Sequence, residues 1–352
     1  MKHSNSRRSF MKACLGTGAV LGFAAASPAA LTLLPGTANA AEGKTAEHTQ
    51  TRLLMGTVVT ITVSHRDSSF AHQSIEQAFA EIIKQESVFN RHDSATAISQ
   101  LNAHGRLDGA PRELCALVSE SLALGNRLNS FDITVAPLVD LMRTHANPRG
   151  EISLNRAELA EARALMDRNS VLVSENAIRL GKSGMAVTLD GIAKGAITDR
   201  ASSVLRSLGA TSHLINSGGD IYASGLKADG KAWRVGVTHP GMQQAMNKTG
   251  SEKLPAVCSL RNRAMATSGT YEAFYDKKQR FHHLIDPQNG QCQPYFSSVT
   301  VTAPSAKLAD ALATALSAMP EREARLAVEG MPNCAAFFIA RDGRMHSSSR
   351  WV

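Results

Sequence analysis

Two neighbouring histidines are among the residues of this sequence best suited to chemistry. His282 and His283 stand shortly before Asp286 and Pro287, which predict a sharp turn. An imidazole titrates near neutral pH, so a histidine beside such a turn suits general base catalysis. On a strand the two rings would point to opposite faces, so only one should reach a given site. A purely structural role is the alternative for either ring.

A carboxylate and a hydroxyl four residues apart form a second candidate. Asp310 and Thr314 lie in the apolar, alanine-rich stretch ADALAT, which is typical of a buried helix. Positions i and i+4 share one helix face, so both oxygens should point the same way. Hard oxygen ligands favour Mg²⁺ over zinc. Two ligands are too few, so a third must come from elsewhere in the chain.

Two glycine-bearing stretches could hold an anion. In residues 216–220 the pair Gly218 and Gly219 lets main-chain amides turn toward one point, although a tight hairpin turn explains the pair equally well. Residues 189–195 place Lys194 near a helix N-terminus, where unpaired amides also favour negative charge. Within that stretch, Asp190 is either part of the site or a helix cap.

The elements that would position these residues mix long helices with runs of short strands. This order favours an α+β fold of layers over a doubly wound parallel sheet. Residues 267–270 are expected to form a second phosphate-facing turn, or a plain loop, and residues 238–254 a surface insertion. Helices are predicted at 69–88, 111–128, 192–208 and 305–319, with a further helix after 154, and strands at 53–64, 171–180, 186–189, 213–216, 221–224, 233–238, 257–260, 281–285, 298–303 and 333–340.

The first forty residues have the order of an export signal. Arg7 and Arg8 precede an uncharged apolar run, which ends at the small-residue motif Ala38-Asn39-Ala40. We therefore expect a twin-arginine signal at 1–40, a polar leader at 41–50 and one folded domain at 51–352, with the mature protein located in the periplasm. A retained N-terminal anchor is the alternative. No later stretch is long and apolar enough to predict an integral membrane span.

Composition excludes one class of partner. Residues 1–40 contain four basic residues and no acidic one, so their removal lowers the net charge from +8 to +4. With 5% aromatic residues and no basic stripe, nucleic-acid binding is not expected.

No C-x-x-C pair occurs among the four cysteines after residue 40, which are Cys115, Cys258, Cys292 and Cys334. One or two disulfides and free thiols therefore both stay open.

Considered together and in order, these motifs resemble the ApbE-type FAD:protein FMN transferases. The similarity covers nearly the whole predicted domain and is specific because the motifs share no compositional reason to occur together. It implies an ApbE-like, T-fold-like layered fold of antiparallel sheets with packed helices. The matching strings are MGT (55–57), FNRHDS (89–94), FDITVAPLV (131–139), LDGIAKG (189–195), INSGGDIYASG (215–225), ATSGTYEAF (266–274), HHLIDPQNG (282–290) and SVTVTAPSAKLADALATAL (298–316).

The resemblance implies a reaction and its partners. Family members bind FAD, cleave its pyrophosphate with Mg²⁺ or Mn²⁺, attach FMN to a threonine of an acceptor flavoprotein and release AMP. The acceptor would be a respiratory or membrane electron-transfer subunit, and the twin-arginine leader resembles members linked to nitrous-oxide respiration. Two alternatives stay open: a Mg²⁺-dependent FAD pyrophosphatase giving FMN and AMP, and a non-catalytic periplasmic FAD-binding protein.

The resemblance also assigns roles to individual positions. His283 becomes the expected base, with His282 as competitor, and His92 stands where an aromatic residue often stacks on adenine. The sequence departs from the usual Asp-Leu-Gly-Gly wording with Thr188-Leu189-Asp190-Gly191, so either Thr188 or Asp190 replaces the missing acid. The expected FAD-binding residues are Met55, His92, Phe131, Asp132, Thr134, Thr188, Asp190, Lys194, Gly218, Gly219 and Ile285, and the expected metal ligands are Gly191, Ala193, Asp310, Ala313 and Thr314.

Overall fold

The structure, a computed structural model, describes residues 44–147, 152–238 and 254–351. The predicted signal and almost all of the predicted insertion at 238–254 lie outside these residues. The strands are Ala46–Leu54 (β1), Thr57–His65 (β2), Arg106–Asp108 (β3), Val171–Val173 (β4), Ala177–Leu180 (β5), His213–Ser217 (β6), Asp220–Ser224 (β7), Trp233–Val237 (β8), Ala256–Leu260 (β9), Arg263–Gly269 (β10), Ile285–Asp286 (β11), Gln291–Cys292 (β12), Phe296–Ala303 (β13), Ala335–Ala340 (β14) and Met345–Ser347 (β15). The α-helices are Ser68–Phe89 (α1), Ala97–His104 (α2), Arg112–Arg127 (α3), Ala136–His145 (α4), Arg156–Ala164 (α5), Ala193–Ser207 (α6), Ala306–Ser317 (α7) and Glu321–Glu329 (α8).

An eight-stranded sheet is the central layer of the fold. Its strand order is β1-β2-β6-β7-β10-β13-β14-β15, and every neighbouring pair is antiparallel. Antiparallel neighbours need only short connections, yet β2 and β6, which pair directly, are separated by most of the helices. The α+β prediction is confirmed, and a doubly wound parallel sheet is excluded.

The sheet carries a different layer on each face. Helices α1, α6 and α7 pack together on one face, against the large core that contains Ile61, Phe79 and Leu312. The β8–β9 hairpin covers part of the other face, where Trp233 packs with Ile221 and other apolar residues in a second core. Two cores on opposite faces therefore hold the central strands rigid, and the polar loops between them can carry function.

The structure corrects the prediction at the start of the domain. The expected single strand at 53–64 is a hairpin, because Met55 and Gly56 form a two-residue turn with φ of 53° and 69°. Positive φ at both central residues is typical of the hairpin turn whose twist matches that of its strands. The predicted polar leader at 41–50 is also wrong from Ala46 onward, since β1 begins there and pairs with β2 along its full length.

Three further segments differ from the prediction. Residues 186–189 form no strand, and within residues 281–285 only Ile285 lies in a strand, because His282 contributes only an isolated bridge to Phe274. Residues 267–269, expected in a turn, lie in β10 and pair with β13. Alternating small and polar residues hid this strand, whose inner face packs on helix α7 rather than on large apolar side chains.

The cysteines of the described residues form no disulfide. Cys115, Cys258, Cys292 and Cys334 are all free thiols, and the first, second and fourth are buried. Of the alternatives that the sequence left open, the free thiols agree with the structure.

Among the helices that the structure describes, none has the length and hydropathy needed to cross a membrane.

Candidate active site

The predicted metal ligands meet in one buried corner between helices α6 and α7. Asp310 is only 4% exposed, and Thr314 follows one turn later on the same helix. A Cβ atom on Gly191 would lie 2.8 Å from Thr314 Oγ1, so the absence of a side chain lets this turn approach α7. Ser268 of β10 adds a second hydroxyl, with its Oγ 3.2 Å from Thr314 Oγ1. The corner is therefore lined by oxygen atoms from three distant segments.

The start of helix α6 is tied to Asp310 by a main-chain hydrogen bond. Gly195 is the third residue of α6, so its N–H has no acceptor within the helix, and it donates to Asp310 Oδ2 at 3.0 Å. Gly191 precedes the N-cap Ile192, so its carbonyl lies outside the helical hydrogen-bond pattern. The structure thus favours Gly191 over Ala193 as the main-chain ligand, since Ala193 is already the first residue of the helix.

Ala313, the remaining predicted ligand, is placed less well. Its carbonyl lies inside helix α7 and accepts a hydrogen bond from Ser317 Oγ at 2.7 Å. Asp310 and Thr314 are accordingly the residues of this helix whose side-chain oxygens best fit a cation.

A buried ion pair adjoins the corner. Lys194 Nζ lies 2.7 Å from Asp220 Oδ2, and the Asp220 side chain is 1% exposed. Although burial opposes the charged form, the nearby Asp220, Asp310 and Glu272 raise the pKa of Lys194 above its ordinary value. Lys194 therefore carries a fixed positive charge, as predicted for an anion-binding residue.

Three carboxyl groups, those of Asp220, Asp310 and Glu272, surround the ammonium group of Lys194. Burial, and then the charge of Asp220, raise the pKa of Asp310 well above its ordinary value, while Lys194 opposes the shift. Glu272 is exposed at the rim, yet desolvation and Asp220 raise its pKa to about 7 against the opposing effect of Lys194. Surplus negative charge next to neutral oxygens is an environment that a hard divalent cation would stabilise.

The donor set fits Mg²⁺ in kind. Within residues 44–147, 152–238 and 254–351, no three His, Cys, Asp or Glu side chains cluster to hold a metal. One carboxylate, one hydroxyl and a main-chain carbonyl, with further oxygens from a phosphate ligand, match a cation that usually binds few protein carboxylates.

The two adjacent histidines have different environments. His282 is 1% exposed, and burial lowers its pKa to about 4. His283 is partly exposed, and its Nδ1 lies 3.0 Å from the carbonyl of Ala273. Because a carbonyl only accepts, Nδ1 carries the proton and Nε2 is left as the basic atom.

The charges near His283 connect it to the rest of the site. Burial lowers its pKa, the Ala273 carbonyl and Asp190 raise it, and Lys194 lowers it. The charges of two predicted FAD-binding residues, Asp190 and Lys194, thus act on the His283 ring, whereas His282 is 1% exposed. The structure therefore favours His283 over His282 as the base.

A charged network anchors the turn that precedes α6. Arg91, with 4% of its side chain exposed, donates from Nε to Asp190 Oδ2 at 3.2 Å and from Nη2 to Asp140 Oδ1 at 2.8 Å. Asp190 is not a helix cap, because the N-cap of α6 is Ile192. Arg91, Asp140, Asp220 and Glu272 were all missed as site residues by sequence reasoning, although Arg91, Asp220 and Glu272 lie within motifs that the resemblance already contained.

Several of the remaining predicted FAD-binding residues are buried in this structure. Phe131 and Thr134 are 4% and 0% exposed, so neither residue presents an open surface to a ligand. Asp132 accepts hydrogen bonds from the Thr134 amide at 2.8 Å and hydroxyl at 2.6 Å. Thr188 lies beside this segment, because its N–H donates to Ile133 O at 2.7 Å. Ile285 is buried in a separate apolar cluster with Met142.

The glycine pair forms the hairpin turn between β6 and β7. Gly218 N donates to Val58 O at 3.1 Å, and Gly219 N donates to Asn216 Oδ1 at 2.9 Å. Both amides are thus already used, which favours the hairpin interpretation over a phosphate cradle. The turn lies next to the β1–β2 turn that carries Met55, since β2 pairs with β6.

Comparison with known proteins agrees with this geometry. A profile of the ApbE family matches residues 55–338. A protein named FAD:protein FMN transferase from Haemophilus influenzae is 30% identical over 285 residues, which cover 78% of this chain and 79% of that protein. A protein of the same name from Treponema pallidum is 29% identical over 330 residues, covering 86% of this chain and 87% of that protein.

Solved structures show the same fold. The crystal structure of the ApbE protein from Thermotoga maritima matches with a TM-score of 0.76 and 25% identity, covering 86% of this chain and 97% of that chain. The family profile, at residues 55–338, includes every residue of the oxygen-lined corner. The chain therefore belongs to the ApbE family.

Proposed function

We propose that this chain is a FAD:protein FMN transferase that joins FMN to a threonine of another protein through a phosphoester and releases AMP. The observation that carries the proposal is the oxygen-lined corner of Asp310, Thr314 and Gly191 beside the Lys194–Asp220 pair. Relatives with the name of this activity add support.

The corner would hold Mg²⁺ through the Asp310 carboxylate, the Thr314 hydroxyl and the Gly191 carbonyl. When bound, the cation supplies neutralisation of the charge that grows on pyrophosphate oxygens as the P–O bond breaks. Lys194 binds phosphate oxygens with its fixed charge, and Asp220 holds the ammonium group in place. Because this group is buried against protein, its electrostatic effect is stronger than it would be in water.

His283 provides the base. Its Nε2 takes the proton of the acceptor threonine, while the Ala273 carbonyl holds the ring through Nδ1. The threonine oxygen then forms a bond to the phosphorus of the FMN half, and the bond from that phosphorus to the oxygen shared with AMP breaks. AMP leaves with the shared oxygen, and the proton stays on His283 until solvent removes it.

The location of the reaction belongs to the same proposal. The paired arginines Arg7 and Arg8, the apolar run and the Ala38-Asn39-Ala40 motif support export by the twin-arginine route to the periplasm. An acceptor there would be a membrane or respiratory electron-transfer subunit.

Replacing both arginines by lysine, R7K with R8K, should keep the precursor in the cytoplasm, as cell fractionation and immunoblotting would measure. Continued export of that variant would argue for another route.

The function is tested by incubating the purified chain with FAD, Mg²⁺ and candidate periplasmic acceptor domains. Intact-mass and peptide mass spectrometry should show FMN on one acceptor threonine, with one AMP released for each transfer. The matched control is the same acceptor with that threonine replaced by valine. Free FMN and AMP without labelled acceptor would instead indicate a pyrophosphatase, and FAD binding without AMP would indicate a binding protein.

A further inference from the structure

Asp140 on helix α4 joins two residues of the predicted FAD site that are far apart in sequence. It accepts from Arg91 Nη1 at 3.1 Å and Nη2 at 2.8 Å, and Arg143 Nη2 lies 3.0 Å from its Oδ1. Arg91 continues to Asp190 at 3.2 Å, and Arg143 Nη1 lies 3.2 Å from His92 Nδ1. One carboxylate thus anchors both arginines, and each arginine contacts one of the two predicted FAD-binding residues.

The Arg91 branch of the network has the properties of a support, whereas the Arg143–Asp140 pair is half-exposed. The Arg91 side chain is 4% exposed, so its position is fixed by protein on nearly all sides, whereas Asp190 remains 49% exposed and can meet a ligand. The planar guanidinium donates two hydrogen bonds to Asp140, which fixes its direction as well as its position. Exposed pairs that lack such geometry contribute little.

The turn carrying Asp190 is restrained from a second direction. Asp190 N donates to Thr188 Oγ1 at 3.1 Å, and Thr188 is itself bonded through its N–H to Ile133 O at 2.7 Å. On the other branch, an arginine can only donate, so His92 Nδ1 accepts and the ring presents Nε2–H. Burial also lowers the pKa of His92, which keeps the ring neutral at neutral pH.

We propose that Asp140 is a positioning residue for the dinucleotide: through Arg91 and Arg143 it fixes Asp190 as a hydrogen-bond acceptor and His92 as a stacking ring for FAD. This inference rests on the proposed function only in taking FAD as the ligand. A side chain held in its bound orientation loses less conformational freedom on binding, which increases affinity without a new contact. Asp140 therefore acts on binding, and the bond-breaking step depends on other residues.

The test is FAD binding at equilibrium, followed by flavin fluorescence in buffer without metal or acceptor. The isosteric variant Asp140→Asn should raise the Kd for FAD about tenfold, and in turnover it should raise KM by the same factor while kcat stays within about twofold. The matched control is Glu81→Gln. It removes the carboxylate from the ion pair that Glu81 of α1, a mostly buried side chain, makes with Arg200 of α6. It should leave the Kd unchanged, and thermal unfolding of both variants measures any general loss of stability.

A double-mutant cycle separates positioning from a general structural effect. Asp140→Asn added to the double variant Asp190→Asn with His92→Ala should raise the Kd no further, because the residues through which it acts are already lost. An unchanged Kd in Asp140→Asn would overturn the proposal, and so would a full additive effect in the combined variant. Failure of the wild-type chain to bind FAD would instead contradict the proposed function.

Discussion

His282 and His283 show how neighbouring residues of one type acquire different chemistry. The local chain makes no regular strand at 281–284, but His282 is still buried and His283 partly exposed. The sequence could identify the pair and its chemistry from residue type alone. It could not say which ring contacts the Ala273 carbonyl, because that contact depends on a loop folded back from β10.

Replacing His283 by glutamine should lower the rate of FMN transfer by about 10² to 10⁴, the usual contribution of a general base. Because burial lowers the pKa of His283, the wild-type rate should persist below pH 6.5 and be lost only as pH falls through the lowered pKa. A pH series of kcat/KM measures both effects. Replacing His282 by glutamine is the comparison, and a larger loss there would reassign the base.

Replacing Asp310 by asparagine should abolish Mg²⁺-dependent turnover while leaving measurable FAD binding. The side chain keeps its shape and can still accept from Gly195 N, but the corner loses its one predicted carboxylate ligand. Electron paramagnetic resonance of Mn²⁺ in the presence of FAD reports the metal directly, independently of turnover. Retained Mn²⁺ binding in this variant would remove Asp310 from the metal site.

The predicted helices agree with the structure because the apolar spacing of these segments is regular, whereas the shorter helices α2, α4 and α8 were missed. The helix expected at 69–88 is Ser68–Phe89, and that expected at 305–319 is Ala306–Ser317 with Ser305 as N-cap. Strands such as β10 carry small polar residues that pack against α7, so no alternation marks them. The sequence placed Asp310 and Thr314 on one helix face, as the structure shows, whereas the roles of Asp140 and Asp220 were missed, since their partners lie 49 and 26 residues away along the chain, respectively.

Close contact between helices α6 and α7 shapes the metal corner. An alanine Cβ at Gly195 would lie 2.3 Å from the carbonyl oxygen of Ala306, which is main chain and cannot move alone. Gly195→Ala should therefore separate the helices, lower the free energy of unfolding by roughly 1–3 kcal/mol and weaken Mn²⁺ binding.

Gly330→Ala is the control for this substitution, because its nearest atom would be 3.5 Å away at ordinary contact distance. Thermal unfolding and Mn²⁺ titration of both variants decide the matter. If Gly195→Ala behaved like Gly330→Ala, the packing of the two helices would not control the site.

On the scale of the whole molecule, two buried neutral histidines should make stability depend on pH. Burial lowers the pKa of both His213 and His282 to about 4, whereas in the unfolded chain a histidine titrates near 6.5. The unfolded state thus binds more protons between these values, so stability is full above about pH 6.5 and is lost as pH falls toward 4.

Urea unfolding at several pH values measures this dependence. His282→Leu should flatten the slope between pH 6.5 and 4, because leucine does not bind a proton. The substitution removes no well-formed hydrogen bond of the ring nitrogens among the described residues. His213 is a less clean site for substitution, since Ser202 Oγ and the Ala210 carbonyl lie 2.8 and 2.7 Å from its nitrogens. An unchanged slope in His282→Leu would exclude this ring as a source of the acid sensitivity.

The strand order makes the catalytic corner a product of late synthesis. Gly191 and Lys194 are synthesised well before helix α7, which completes their surroundings, and before strand β14, which pairs with β13. A nascent chain would hold FAD-directed groups in an open sheet, with nothing opposite them. Such long-range pairing is slow, so the groups at the start of α6 would gain their full surroundings only once β10, β13 and α7 have joined the sheet.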